Sequence, residues 1–93
     1  MKVVEIKHVE DCFDGSLIKE ILLSDEITKE FIHKLSGDDF LQYFPHFARP
    51  FFKIRKNGTY DIKGIEGNNT MRIHLKKPDE YSLNEFIEMV NNI

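Results

Sequence analysis

The 93-residue sequence predicts a single α+β domain in the order β-α-α-β-β-β-α, an antiparallel three-stranded meander plus an N-terminal strand, with helices packed on one face. Three features predict it. Between residues 51 and 76, apolar side chains recur at every second position in three short runs, separated by Asn57-Gly58 and Gly67-Asn68. In 17–35, and again in 83–90, they recur at the three- and four-residue spacing of a helix. The chain opens on Val3, Val4, Ile6 and Val9, β-branched residues that favour a strand.

The first strand, Val3–Val9, sets Val4, Ile6 and His8 against Val3, Glu5, Lys7 and Val9, and is expected to be fairly buried. It lies either parallel to the second strand or beside the fourth at an edge. Asp14-Gly15-Ser16 is a turn suited to lead into a helix. Apolar residues at 17, 18, 21 and 22, then 27, 31, 32 and 35, keep helical spacing, but Ser24-Asp25-Glu26 interrupts them with a capping residue and first-turn acids. The region therefore divides into a helix near 16–23 and another near 25–36, ended by Gly37. Asp38-Asp39 are likewise read as helix-start acids. Phe40, Tyr43, Phe44, Phe47, Phe51 and Phe52 form the densest aromatic stretch, broken by Pro45 and Pro50. The first three fit a helical turn that Pro45 stops, and the cluster is expected to seal the helices against the sheet.

For the meander, a three-residue loop, Lys56-Asn57-Gly58, with Gly58 in the left-handed region, pairs Ile54 with Tyr60 and Phe52 with Ile62. The turn near Gly67-Asn68 then pairs Ile62 with Ile73 and Tyr60 with Leu75, leaving Met71 near Gly64. The apolar faces agree across all three strands. The last helix carries a capping box, Ser82-Leu83-Asn84-Glu85, a staple between Tyr81 and Phe86, and a buried stripe of Leu83, Phe86, Ile87 and Val90.

Charge is divided sharply along this chain. From Arg49 to Lys77 there are eight bases against two acids, Asp61 and Glu66, a net of +6; the other 64 residues hold five bases and fourteen acids, a net of −9. Strands would gather the basic segment onto one surface. In the predicted register, Lys53, Asp61 and His74 form one self-neutralised row, whereas Phe51, Lys63 and Arg72 form a row with two cations opposed. Arg55 and Lys76 flank it. Phe51, Lys63, Arg72, Arg55 and Lys76 are thus the candidate residues for an anionic ligand, planar or phosphorylated. The plain alternative is an ordinary solvated sheet face.

Other chemistry is sparse. One cysteine, Cys12, excludes an internal disulfide and a cysteine-based zinc site. It precedes a predicted helix start, which would favour a thiolate, but Asp11 and Asp14 beside it oppose one. His8, His33, His46 and His74 show no metal-type spacing, and no Gly-rich phosphate loop, catalytic triad or cofactor motif is present. The first five residues turn polar too soon for a signal peptide or membrane span, so Asn68-Asn69-Thr70 is read as a fortuitous glycosylation match and the protein as cytoplasmic. The expected function is a non-enzymatic binding module whose basic sheet face meets an anionic ligand or an acidic protein partner. Nucleic acid is less favoured because the whole chain is acidic, at −3. The alternatives are a homodimer or other homo-oligomer, and a small enzyme with a pocket near Cys12 or His46.

Overall fold

A computed structural model describes residues 1–37, 40–56, 59–76 and 80–93. Their order is β1 (Val3–Asp11), β2 (Leu17–Leu23), α1 (Lys29–Ser36), β3 (Phe40–Phe44), β4 (Phe51–Lys56), β5 (Tyr60–Ile65), β6 (Thr70–Leu75) and α2 (Glu80–Asn91). The α+β class holds, with a six-stranded antiparallel sheet ordered β1-β2-β6-β5-β4-β3. The chain builds a hairpin, crosses by α1 to the far edge of the sheet, and returns strand by strand until β6 closes against β2.

Two segments expected to be helical are strands. Leu17–Leu23 pairs with β1 on one side and β6 on the other. Its apolar residues satisfy helical spacing and alternation alike, and seven residues are too few to separate the two. The environment decides. Ile21 and Leu23 enter the core, and Ile18, Glu20 and Leu22 point to the other face. Asp14-Gly15-Ser16 accordingly turns a hairpin: Cys12 N–H bonds Ser16 O at 2.9 Å, and Gly15 takes φ 85°, which suits glycine. Phe40–Phe44 is the second case. Leu41 and Tyr43 pack against the core while Phe40, Gln42 and Phe44 take the opposite positions, a two-residue period that a helical turn would scramble.

The first strand also differs from expectation. It forms an edge, antiparallel to β2, and is mostly exposed, with only Val3 and Ile6 packed against the core. Its charged side chains suit an edge that must not recruit another chain. Helix α1 starts later than predicted, because Thr28 Oγ1 accepts from Phe31 N–H at 3.0 Å and so caps it; Gly37 ends it at φ 51°. Ile27, just before the cap, locks the β5–β6 turn through Ile27 N–H to Asn68 O and Gly67 N–H to Ile27 O, both 2.8 Å. Helix α2 begins before the proposed capping box. The helix already includes Glu80, Ser82 is buried within it, and Glu85 accepts from Lys56 Nζ at 3.0 Å instead. Asp38-Asp39, Asn57-Gly58, Lys77 and the Tyr81 side chain of the proposed staple lie outside the described residues.

One core fills the helical side of the sheet. Ile21, Leu23, Phe52, Ile54, Tyr60, Ile62, Met71, Ile73 and Leu75 meet Phe31, Ile32 and Leu35 from α1 and Phe86 and Val90 from α2. Burying each such side chain stabilises the fold by roughly 1.5–3 kcal/mol before entropy is counted. The aromatic segment seals this core only in part: Phe52 lies within it and Tyr43 packs against it. Phe44, Phe47 and Phe51 cluster with one another, at centroid separations of 4.6–6.0 Å, and Phe40 and Phe47 are 59% and 56% exposed.

The β5–β6 register is as the sequence predicts, with Tyr60 opposite Leu75, Ile62 opposite Ile73 and Gly64 opposite Met71. The β4–β5 register is displaced by two residues: Lys56 pairs with Tyr60, Ile54 with Ile62 and Phe52 with Gly64. Alternation cannot detect such a slip, since two residues restore the same face. Shape can. The Phe52 ring lies 3.0 Å from where a Cβ on Gly64 would stand, so the ring fits only opposite the residue that has none.

Candidate anion-binding face

With all registers fixed, the face away from the helices is a grid. Its central row runs Lys7, Glu20, Arg72, Lys63, Lys53 and Gln42 across the six strands. A second row runs Ile18, His74, Asp61, Arg55 and Phe40 from β2 to β3. The two-residue displacement exchanges partners for Asp61. It faces Arg55 rather than Lys53, with Arg55 Nε at 4.0 Å and Lys76 Nζ at 3.6 Å from Asp61 Oδ1. Arg55 and Lys76, predicted as ligand contacts, instead flank this carboxylate at ion-pair distance, and its side chain is only 17% exposed. Lys53 moves the other way. It stands opposite Lys63, which stands opposite Arg72, so three cations lie side by side on adjacent strands.

Among the described residues, Lys53 and Lys63 have no carboxylate within 4.0 Å, and Arg72 has only Glu20, at 3.8 Å between Nε and Oε2. Cations opposed across a strand pair raise the energy of a sheet. Phe51 is not in this row but one step along β4, opposite Ile65. It nonetheless shares a depression with Lys63 and Arg72, of about 380 Å³, whose lining also includes Arg49, Glu20 and Asn68. A smaller recess of about 80 Å³ adjoins it, lined by Lys53, Lys63, Arg72 and His74 together with Ile18 and the carboxylate of Asp61.

Glu20 and Lys53 are the residues that sequence reasoning misplaced. Glu20 falls within a predicted helix, and the predicted register sets Lys53 beside Asp61. The available signal was Asp14-Gly15 between two apolar runs, a hairpin cue that would have brought β2 into the sheet.

A hydrogen-bonded chain lies beside this face. Ser16 Oγ donates to Asp14 Oδ1 at 2.6 Å and meets His74 Nε2 at 2.7 Å. The single hydroxyl proton is used on Asp14, so His74 Nε2 must donate to Ser16. That direction is the reverse of base activation, and Ser16 is 1% exposed. The chain is a brace between the β1–β2 turn and β6. Ser16 holds the Asp14 carboxyl below its ordinary range, first through its hydroxyl and then through its backbone N–H. Cys12 is partly buried in that turn, whereas His46 is exposed in the loop between β3 and β4, at the opposite end of the sheet order. Neither lines the basic depression. Among the described residues, no group of three or more His, Cys, Asp and Glu is placed to hold a metal ion, and no helix is long and apolar enough to cross a membrane.

No family model, no curated protein and no solved structure matches this chain.

Proposed function

We propose that this protein is a binding module whose open sheet face receives an anionic group of a ligand or partner. The observation that carries the reading is the row Lys53, Lys63 and Arg72, in which two of three cations have no carboxylate neighbour among the described residues. An ordinary solvated face would intersperse its charges, as the neighbouring row does by setting Asp61 opposite Arg55. An anion laid on the central row relieves the mutual repulsion and gains charge-assisted hydrogen bonds. The contrast between the two rows, built on the same three strands, supports function rather than composition.

Calorimetric titration with inorganic pyrophosphate at low ionic strength tests this. The unaltered protein binds it, and the double variant Lys63→Glu, Arg72→Glu binds more than about tenfold more weakly, as loss of two charge-assisted contacts requires. Reversal at Arg55 and Lys76 has a much smaller effect. Equal losses from both pairs, or no binding by the unaltered protein, would overturn the proposal.

A further inference from the structure

We infer that the depression beside the cation row takes a nucleotide, with one planar heterocycle against Phe51 and one phosphate on Lys63 and Arg72. This rests on the anion-binding reading above and names the ligand class. Four features of the depression carry it.

Its volume, about 380 Å³, lies at the small end of the range for small-molecule sites, enough for one ring system with a short appendage. Its walls differ in chemistry. Phe51 and Ile65 supply an apolar side, and Lys63, Arg72 and Arg49 a cationic one, so a ligand must be both flat and anionic to use it fully. The Phe51 ring is already held in place. It stacks on Phe44 at 4.6 Å and 25°, with Phe47 tilted against it at 5.2 Å, so little side-chain freedom remains to be lost when a ring docks.

The fourth feature is Glu20, a carboxylate within a basic depression. It repels a chain of phosphates laid across the site, yet it accepts hydrogen bonds from hydroxyl or amino groups. The Asn68 amide and Thr70 hydroxyl line the same depression, and neither side chain has a hydrogen-bond partner among the described residues. A plain polyanion leaves the Asn68 and Thr70 side chains unused and meets in Glu20 a carboxylate that already stands 3.8 Å from Arg72. A sugar with its hydroxyls, or a base with an exocyclic amine, satisfies them while its single phosphate meets the cations.

The source of that chemistry is either a free mononucleotide or one nucleotide of a single strand. The experiment titrates the protein with adenosine 5′-monophosphate, ribose 5-phosphate, adenosine, inorganic phosphate and a short single-stranded oligoadenylate, following Kd and amide chemical shifts. Adenosine 5′-monophosphate is expected to bind about tenfold or more tightly than ribose 5-phosphate, the increment typical of one base stacked on an aromatic ring. Phe51→Leu abolishes that increment and leaves ribose 5-phosphate unchanged. Lys63→Gln, at an exposed site that does not threaten folding, weakens both phosphates alike and spares adenosine. An oligonucleotide no tighter than the monomer identifies the free nucleotide, and one much tighter identifies the strand; either supports the inference. If inorganic phosphate binds as well as the nucleotide, or Phe51→Leu leaves the increment intact, the nucleotide assignment is overturned while the anion-binding reading stands. If no phosphate compound binds, both fall.

Discussion

Replacing Lys63 by Glu should make this protein more stable and less able to bind anions. Lys63 lies between Lys53 on β4 and Arg72 on β6, so it takes part in two like-charge contacts at once. With charge centres roughly 7 Å apart, Coulomb's law in water gives about 0.6 kcal/mol of repulsion per pair. At 10 mM salt the screening length is about 30 Å and most of this survives, whereas at 150 mM it is about 8 Å and more than half is lost. Lys63→Gln removes both repulsions, for a gain of about 1 kcal/mol at 10 mM salt. Lys63→Glu converts them to attractions and gains about 2 kcal/mol, roughly half of it at 150 mM. In a domain of this size, 1 kcal/mol moves Tm by roughly 4–8 °C. Urea unfolding at the two salt concentrations measures the effect directly. Lys76→Gln is the control of opposite sign, because it strips Asp61 of its nearer cation, 3.6 Å away. If Lys63→Glu is neutral or destabilising at 10 mM salt, the three cations do not strain the sheet, and the reason for assigning them a function disappears.

Three further outcomes test the fold and its titrating groups. Gly64→Ala places a Cβ 3.0 Å from the Phe52 ring and 3.1 Å from Met71 Cβ, both in the core, and should cost about 1–3 kcal/mol in urea unfolding. A neutral result would refute the β4–β5 register. Asp14 is depressed by its Ser16 hydrogen bonds, so its contribution is present above the ordinary carboxylate pKa and is lost as pH falls through the depressed value. An NMR titration of the Asp14 carboxyl should therefore find its midpoint below the usual range and return it toward normal in Ser16→Ala. Tyr43 is held above its ordinary pKa, first by donating its phenol proton to Glu66 at 2.5 Å and then by burial. Its stabilising effect is present at neutral pH and is lost as pH rises through the raised value, so one tyrosine should ionise later than normal in an ultraviolet titration, and Glu66→Ala should shorten the delay.

The sequence carried the meander and the helical core face because alternation in β5 and β6 and the stripe Phe86 to Val90 each had one consistent reading. It did not carry β2. Leu17, Ile18, Ile21 and Leu22 match a helix as well as a two-sided strand, and only pairing to β6, far along the chain, resolves the choice. The same long-range information separates two β4–β5 registers with identical faces, through the fit of Phe52 over Gly64. That fit reassigns the site. Phe51, Lys63 and Arg72 still share one depression, but Lys53 joins their cations, and Arg55 and Lys76 leave for Asp61. The concentration of charge was legible in the composition of 49–77. Its arrangement was not, because a row is a property of three strands together.

The most direct measurement of the central claim is an amide chemical-shift map of the unaltered protein titrated with inorganic pyrophosphate at low salt. The account predicts saturable shifts centred on Lys53, Lys63, Arg72 and the Arg49 edge of the depression, fading as salt is added. Shifts centred instead on Arg55 and Lys76, or scattered over the surface without saturation, would contradict it.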